Sequence, residues 1–219
     1  MTAFPIILSA PSGGGKTTIA RALLAGRTDI GYSVSCTTRQ PRPGEIHEKD
    51  YYFISRTEFL TKREKGEFAE SAEVHGNLYG TLRSEVLRVL GTGKHVLMDI
   101  DVQGAVQFMR VFPQAVTIFI LPPSADVLLE RLRMRQTESP QELADRLQSA
   151  LQELQSVDEY EYVVVNDNLD VAVKRIESII DAEVSSRQRV VGLRTQVALL
   201  IDQLEREIES RTNNEGTRK

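Results

Sequence analysis

The feature that most constrains the fold is a glycine-rich stretch between a strand-like and a helix-like segment. Residues 4–8 are apolar and of strand length, and residues 16–25 have helical periodicity. Between them lie three consecutive glycines at positions 13–15. A strand, a glycine-rich turn and a helix in this order let backbone N–H groups and the positive helix end surround a phosphate. We therefore expect the chain to open with a phosphate-binding loop.

The residues around these glycines fit the nucleotide-binding pattern Gly-x-x-x-x-Gly-Lys-Ser/Thr at all but one position. Ala10 stands where the pattern has its first glycine, and an alanine fits there if it keeps ordinary backbone angles. In such loops the lysine reaches the terminal phosphates and the hydroxyl of Thr17 is available as a ligand of Mg²⁺. The sequence therefore predicts a nucleoside triphosphate site. Its expected residues are Ala10, Pro11, Ser12, Gly13, Gly14, Gly15, Lys16, Thr17 and Thr18.

Strand-like and helix-like segments alternate along much of the chain, which predicts an α/β fold with helices on both faces of a parallel sheet. Residues 35–83 interrupt the alternation with turn-forming residues and short apolar runs, which indicates an inserted, mostly β module. The expected division is a phosphate-loop core, the inserted module, a charged helical segment, an amphipathic C-terminal helix and a frayed tail. These parts cover, in that order, 1–34 with 84–123 and 158–184, then 35–83, 124–157, 185–211 and 212–219.

The C-terminal helix is expected to carry an apolar stripe. Val190, Val197 and Leu204 recur every seven residues. Beside them lie Leu193, Leu200, Ile201 and Ile208. Such a stripe packs either on its own domain or against a second subunit. The sequence leaves both open.

Composition excludes several classes of protein. The chain has 31 acidic and 27 basic side chains in 219 residues, a net charge of −4, so general nucleic-acid coating is not expected. Apolar runs such as 115–123 are shorter than the roughly 20 residues of a membrane span. We expect no secretory leader, because the phosphate loop starts almost at once. The sole cysteine, Cys36, excludes an intramolecular disulfide and favours the reducing cytoplasm.

Motifs downstream of the loop resemble those of bacterial-type guanylate kinases. They are SCTTRQPRPGE at 35–45, DYYF at 50–53, EFAE at 67–70, GNLYGT at 76–81 and DIDVQG at 99–104. The resemblance runs from about residue 6 to about residue 183, with the motifs in order. It implies a P-loop kinase that transfers the γ-phosphate of ATP to GMP, and to dGMP, giving ADP and GDP in purine nucleotide metabolism. It further implies that 35–83 binds GMP and that 124–157 forms a lid.

A nucleoside monophosphate carries about two negative charges, so it needs an anion site opposite the phosphate loop. Arg39 and Arg42 lie three residues apart in a proline-constrained loop, which suits forked binding of one phosphate. A solvated turn is the alternative interpretation. The resemblance adds the phenolic hydroxyls of Tyr51 and Tyr79 to the same phosphate.

Guanine presents N1–H and N2–H₂ donors beside the O6 acceptor, whereas adenine presents the opposite pattern. A carboxylate facing the donors and a hydroxyl facing O6 would therefore select guanine, because the wrong base leaves buried groups unpaired. The resemblance assigns the carboxylate to Glu70 and places the Asn166–Asn168 loop near adenine. It also assigns to the GMP site Ser35, Gly80, Thr81, Asp99 and Asp101, with Asp99 orienting water near Mg²⁺ or the GMP phosphate.

Arginines cluster in the helical segment after residue 124. In the family, those that match Arg131, Arg135 and Arg146 lie on a lid that closes over the phosphates, and with Lys16 they are the expected catalytic residues. Phosphoryl transfer depends on positioning and charge neutralisation, and no covalent intermediate is needed. A salt-bridged surface helix is the alternative. Gln136 stands where the family usually has glycine, which would stiffen the lid hinge.

Two other functions stand beside this one. A related kinase for another phosphorylated ribose or nucleotide would keep the phosphate loop and the arginines but lack Glu70 and its hydroxyl partners. A binding module, like the guanylate-kinase-like domains of scaffold proteins, would lack Lys16 or the lid arginines. The expected partners are ATP with Mg²⁺ and GMP, with no nucleic acid and no membrane. Self-association through the C-terminal helix stays open.

Overall fold

The computed structural model describes residues 2–74, 76–133 and 140–216. Its strands are β1 Pro5–Ser9, β2 Ile30–Tyr32, β3 Cys36–Thr37, β4 Tyr52–Phe53, β5 Phe68–Val74, β6 Asn77–Leu82, β7 His95–Asp99, β8 Val116–Leu121 and β9 Tyr162–Val165. Its helices are α1 Lys16–Gly26, α2 Arg56–Glu64, α3 Arg83–Gly91, α4 Val102–Val111, α5 Ala125–Arg133, α6 Pro140–Gln155, α7 Leu169–Val184 and α8 Leu193–Gly216, with a 3₁₀ turn at Val157–Glu159. The predicted α/β class is confirmed.

A five-stranded parallel sheet in the order β2-β7-β1-β8-β9 positions the site. Strand β1 lies at its centre, and all five of its residues are buried, as expected for a strand covered on both faces. Its end, Ser9, is level with Phe119 of β8, while Leu8 is level with Asp99 of β7. Because parallel strands end at one edge of the sheet, the segments after β1, β7 and β9 meet there.

A four-stranded sheet in the order β4-β3-β6-β5 is built from strands that fall within residues 36–82. Its small core contains the stacked rings of Phe59 and Phe68, whose centroids are 4.4 Å apart. Gly80 is required here, because a side chain at this position would meet the Glu70 carbonyl oxygen at 2.9 Å. The sheet lies inside the range predicted for the inserted module, and the module's boundaries remain predictions.

One helix boundary predicted from the sequence is wrong. The pattern of residues 81–90 in the sequence predicts a helix that begins at Thr81, but Thr81 and Leu82 complete β6, and α3 begins only at Arg83. The reason is the ladder to β5, in which Thr81 pairs with Glu70 and Leu82 with Phe68. No glycine or proline separates this strand from its helix, so the sequence offers no turn signal between them.

The helical segment after β8 forms a hairpin of α5 and α6. Leu128 and Leu132 of α5 pack against Ala150 of α6 in a small apolar cluster. Arg135 and Gln136, both named by the sequence analysis, lie outside the described residues.

Residues 3–179 form one compact unit, and residues from 180 onward belong to a second. In the second unit, the predicted helix over 185–211 begins too early. Residues 185–192 form turns, next to which Glu183 and Arg189 make an ion pair. The turns end at Gly192, whose φ of 71° lies in the left-handed region.

Helix α8 then runs past the predicted end at residue 211 to Gly216. Residues 212–216, predicted to be frayed, continue the helix, and 217–219 lie outside the described residues. The predicted stripe is exposed along α8, with Val197 at 44%, Leu200 at 53% and Leu204 at 63% exposure. None of the helices in the described parts of the chain is both long and apolar enough to cross a membrane.

Candidate active site

The phosphate loop joins β1 to α1 with a backbone that only glycine adopts readily at two positions. Gly13 has a φ of 84° and Gly15 a φ of 94°. Gly14 is needed for space, because a Cβ there would lie 2.8 Å from the Cβ of Ala10. Ala10 is buried and is not among the described residues with a positive φ, so the departure from the motif causes no strain.

The start of α1 is suited to an anion. Gly15 occupies the N-cap position and gives no side-chain cap, and the first turn contains no acidic residue. The first N–H groups of the helix therefore present their partial positive charge to any anion bound at this end. This is the geometry expected of a phosphate cradle.

A cleft of about 570 Å³ surrounds this loop. Its lining contains every loop residue predicted to bind the triphosphate, from Ala10 to Thr18, and Arg131 of α5. Four further residues complete the lining: Glu153, Asn166, Asp167 and Leu169. We refer to this space as the donor cleft.

Asn166 supports the phosphate loop directly. Its buried side-chain amide donates a 2.9 Å hydrogen bond to the Gly14 carbonyl, and its own N–H donates to Leu121 of β8 at 2.8 Å. The resemblance placed Asn166 near adenine, whereas the structure gives it the additional task of fixing the loop. The sequence signal was its position after a core strand, where open parallel sheets place ligands.

Arg131 points a guanidinium group into the donor cleft. Its Nη2 donates to the Asn166 carbonyl at 3.3 Å, while Nη1 is buried and finds no hydrogen-bond partner among the described residues. Nη1 lies 3.9 Å from the place a Cβ on Gly15 would take. A cation with a spare donor next to a phosphate cradle is suited to a phosphate oxygen.

Arg146 is also brought to the phosphate loop. It is 9% exposed, and its Nε and Nη2 approach the Ser12 hydroxyl at 3.4 and 3.3 Å. Nη1 donates to the Leu132 carbonyl at 3.3 Å, which ties α6 to α5. Of the predicted lid arginines, two therefore lie at the loop and the third, Arg135, lies outside the described residues.

A second, smaller cleft of about 180 Å³ lies between the two sheets, and we call it the acceptor cleft. Lys16 lines both clefts. The lining of the acceptor cleft consists of Lys16, Tyr32, Ser35, Tyr51, Glu70, Ala72, Val74, Tyr79, Gly80, Asp99, Ile100 and Asp101. Seven of the residues predicted to bind GMP thus line the acceptor cleft. An eighth, Thr81, is hydrogen-bonded to Glu70 in that lining.

Glu70 is a buried carboxyl at 6% exposure. Thr81 Oγ1 donates to Glu70 Oε1 at 2.6 Å, and Ser35 Oγ lies 3.2 Å from the same hydroxyl. Burial raises the pKa of Glu70 to about 7, and nearby Asp101 adds to the rise, although the Thr81 hydrogen bond opposes it. Gly104 leaves room for the carboxylate, since a Cβ there would lie 2.9 Å from Glu70 Oε2.

The arginines predicted for the GMP phosphate are only partly brought together. Neither Arg39 nor Arg42 belongs to the described lining of the acceptor cleft. Arg39 forms a forked pair with Glu45, both contacts at 2.9 Å, and its guanidinium lies 5.5 Å from the Tyr51 ring centre. Hydrogen bonds from Arg39 to Glu45 and Tyr79 raise the pKa of Arg39. Arg42 is exposed.

The end of β7 provides two carboxylates with different surroundings. Asp99 Oδ1 accepts a 2.7 Å hydrogen bond from the Tyr32 hydroxyl, and Oδ2 accepts one of 3.2 Å from Thr17. Asp101 caps α4 by accepting a 2.7 Å hydrogen bond from the Gly104 N–H. The N-cap residue of α4 is therefore Asp101 and not Asp99.

Thr17 and Asp99 fit a Mg²⁺ ion. The hydroxyl and the carboxylate oxygen touch at the positive end of α1, beside the phosphate loop. Oxygen atoms are the ligands that Mg²⁺ prefers, and phosphates commonly complete its coordination.

Several residues of the site carry no sequence motif of their own. Tyr32 orients Asp99, and Glu153 accepts a hydrogen bond from the Ser12 N–H. Gln107 of α4 binds both the N–H and the carbonyl of Ser71, each at 3.1 Å, which fixes the strand that carries Glu70. These contacts join distant parts of the chain, so periodicity and spacing do not reveal them.

The known proteins to which this chain is similar include several guanylate kinases. The family model for guanylate kinase matches residues 2–183. A guanylate kinase of Desulfitobacterium hafniense is 48% identical over 178 residues, which cover 81% of this chain and 89% of that protein. One from Nitrosospira multiformis is 46% identical over 177 residues, covering 81% and 84%. The crystal structure of guanylate kinase from Anaplasma phagocytophilum matches with a TM-score of 0.73 at 39% identity, covering 89% of this chain and 93% of that one.

Proposed function

This chain belongs to the guanylate kinase family, and we propose which of its residues carry out the transfer of the ATP γ-phosphate to GMP. The reaction gives ADP and GDP. The observation that carries the assignment of residues is the position of Lys16, which lines both the donor and the acceptor cleft. A single fixed cation there faces the group that moves from one phosphate to the other.

The donor cleft holds ATP by its phosphates. The backbone of the glycine loop and the start of α1 bind the phosphate chain, and Lys16 binds its terminal end. Arg131, with its spare Nη1, and Arg146 on the lid neutralise charge that develops on the transferred group, and Arg135 joins them. Mg²⁺, when bound, adds positive charge at the phosphate oxygens. Thr17 would be its protein ligand, with Asp99 orienting coordinated water.

The acceptor cleft selects guanine. The Glu70 carboxylate accepts from the N1–H and N2–H₂ groups of the base, and Ser35 and Thr81 face its O6, with Asp101 as a further acceptor. Adenine would place an acceptor against the carboxylate and leave it unpaired, which is strongly unfavourable in a buried site. The same residues accept dGMP, because none of these contacts involves the ribose.

The GMP phosphate is held by Arg39 and Arg42 together with the hydroxyls of Tyr51 and Tyr79. Arg39 is already oriented by Glu45 and by the Tyr51 ring. An arginine held in this way loses less side-chain entropy when it binds a phosphate with its planar group. Closing of the lid would then exclude water and protect ATP from hydrolysis.

The alternative functions are less well supported. A kinase for a different phosphorylated ribose has no use for a buried carboxylate that accepts from a threonine hydroxyl, which in turn contacts a serine hydroxyl. This chain has that series of contacts from Glu70 through Thr81 to Ser35. A non-catalytic binding module needs neither Lys16 nor Arg131 at a phosphate loop. The sole cysteine and the substrates suit a cytoplasmic enzyme of purine nucleotide metabolism.

A coupled assay of ADP formation tests the function. Purified protein with ATP and Mg²⁺ is offered GMP, dGMP, AMP, IMP, CMP or UMP in turn. We expect ADP to form with GMP and dGMP, with AMP slower by about 10⁴ because the purine edge is mismatched. Folded protein that releases no ADP with GMP would refute the assignment, and equal rates with AMP would refute the role of Glu70.

We also propose that α8 pairs with the α8 of a second copy in antiparallel orientation. The first part of α8, residues 193–201, carries one arginine and no acidic residue, whereas 202–209 carry four acidic residues and one arginine. Antiparallel pairing places each basic end opposite an acidic end, and the exposed stripe that contains Leu200 and Leu204 becomes buried. A helix of 24 residues spans about 36 Å, which is enough for several turns of packed contact.

A further inference from the structure

We propose that Glu153 is a positioning residue for ATP: its carboxylate holds Ser12, and with it the phosphate loop, against the lid helix α6. Glu153 Oε2 accepts a 2.8 Å hydrogen bond from the Ser12 N–H. The two residues are separated by 141 positions in the chain. This inference rests on the proposed function, because it describes how the donor cleft keeps its shape.

Helix α6 contacts Ser12 through two side chains, of which Glu153 is one. Arg146 reaches the Ser12 hydroxyl at 3.3 Å, while Glu153 reaches the Ser12 backbone. The two side chains lie seven residues apart on α6, which places them two turns apart on one face of the helix. One lid helix therefore binds both the side chain and the main chain of a single loop residue.

The loop needs such contacts because its backbone is costly to order. It contains three consecutive glycines, and ordering a glycine costs more backbone entropy than ordering any other residue. Within the loop, the Gly14 N–H donates to the Pro11 carbonyl at 2.7 Å. On one side Asn166 binds the Gly14 carbonyl, and on the other side Glu153 binds Ser12. Together these contacts fix the segment that must surround the phosphates.

The charge of Glu153 shows that it serves the loop and not the nucleotide. Its carboxyl lines a cleft for a polyanion, where a negative charge repels the ligand. Burial raises the pKa of this carboxyl and nearby Asp101 adds to the rise, although the Ser12 N–H and nearby Lys16 oppose it. What the loop requires is an acceptor oxygen at this position. An amide provides that oxygen without the charge.

Three variants separate these roles. Glu153→Ala removes the acceptor, Glu153→Gln keeps an acceptor oxygen but removes the charge, and Glu159→Ala, at an exposed position nearby, is the control. We expect Glu153→Ala to raise the KM for ATP about tenfold, the effect of losing one hydrogen bond to a charged group, with the KM for GMP changed less than about twofold. Glu153→Gln should restore the KM for ATP to within about threefold of the parent. The control should match the parent.

A second measurement does not depend on the acceptor substrate. The rise in melting temperature caused by ATP and Mg²⁺ alone reports occupation of the donor cleft. It should be smaller for Glu153→Ala than for Glu153→Gln and the parent. An unchanged KM for ATP in Glu153→Ala, or a Gln variant as impaired as the Ala variant, would overturn the inference. Loss of the proposed function would look different, since the parent itself would then form no ADP with GMP.

Discussion

The Thr81 hydroxyl donates a 2.6 Å hydrogen bond to the Glu70 carboxylate inside the acceptor cleft. The bond spans two paired strands, because Glu70 on β5 is opposite Thr81 on β6. It occupies one side of Oε1 and leaves the remaining lone pairs of the carboxylate to a ligand. In the proposed function, base selection therefore depends on the register of the antiparallel pair of β5 and β6.

Replacing Glu70 with glutamine should impair GMP far more than ATP. The amide has nearly the same shape, but it presents N–H donors to the donors of guanine. We expect kcat/KM for GMP to fall by about 10²–10³, while the KM for ATP stays within about threefold. A two-substrate titration measures both. Equal losses for the two substrates would contradict a base-reading role.

The use of GMP should depend on pH through Glu70. Its pKa of about 7 in the folded protein means that the carboxyl takes up a proton as the pH falls through neutrality. The protonated form cannot accept both donors of guanine, so kcat/KM for GMP should fall below pH 7 by up to about tenfold per pH unit.

The Glu70→Gln variant is the control for that profile. The GMP phosphate also titrates, with a pKa near about 6, and that effect is common to both proteins. The difference between the two profiles therefore isolates Glu70. A parent profile parallel to that of the variant between pH 6 and 8 would show that Glu70 does not titrate there.

The same group should make the folded state more stable in weak acid. Its pKa is about 7 in the folded protein and 4.5 ordinarily, so between these values the folded chain holds more protons than the unfolded chain. The free energy of unfolding should fall by up to about 1.4 kcal/mol per pH unit as the pH rises through this window, and this contribution is constant above it. Urea melts of the parent and of Glu70→Gln measure the difference.

Adding one methyl group at Gly104 should displace Glu70. The new Cβ would lie 2.9 Å from Glu70 Oε2, closer than contact allows. Alanine favours a helix by about 1 kcal/mol over glycine, so any loss of activity would not come from a weaker α4. We expect the KM for GMP to rise about tenfold and the KM for ATP to stay unchanged.

Gly91→Ala is the matched control, because a Cβ at that helical glycine would meet nothing within 4 Å beyond its own helix and its chain neighbours. It should leave both KM values at those of the parent. If Gly104→Ala behaved in the same way, the close approach of α4 to Glu70 would have no part in base recognition.

Lys16→Met should abolish most turnover while the protein stays folded. Methionine keeps much of the length of the side chain but removes the ammonium group that lines both clefts. We expect kcat to fall at least about 10²-fold, in line with removal of one preorganised charge-stabilising group. Lys94→Met, at an exposed lysine, is the control. Near-normal turnover in the Lys16 variant would refute the triphosphate assignment.

Truncation after Val184 tests the pairing of α8. The parent should have twice the mass of a monomer by light scattering, whereas the truncated chain should be a monomer that keeps its kcat. Leu200→Glu with Leu204→Glu should have the same effect as truncation, since charges would then enter the apolar contact. If both variants had the same number of subunits as the parent, the result would favour packing of the stripe on the parent domain.

The parts of this site that follow from local sequence were predictable. The loop around Lys16 has a fixed spacing because the phosphate sets it, and Glu70 and Thr81 belong to motifs that could be matched to a family. The contact between Ser12 and Glu153 could not be foreseen, since it joins two segments far apart in the chain and neither has a characteristic spacing. The start of α8 was missed because the apolar repeat continues through Val190, although Gly192 interrupts the helix.

The phosphate loop depends on the side-chain amide of Asn166. Asparagine side chains hydrolyse slowly to aspartate on storage or heating. Only the amide donates a hydrogen, so the product would set a negatively charged oxygen against the Gly14 carbonyl, where a 2.9 Å bond stood before. Such a change would weaken the phosphate loop, and with it nucleotide binding, without cleaving the chain.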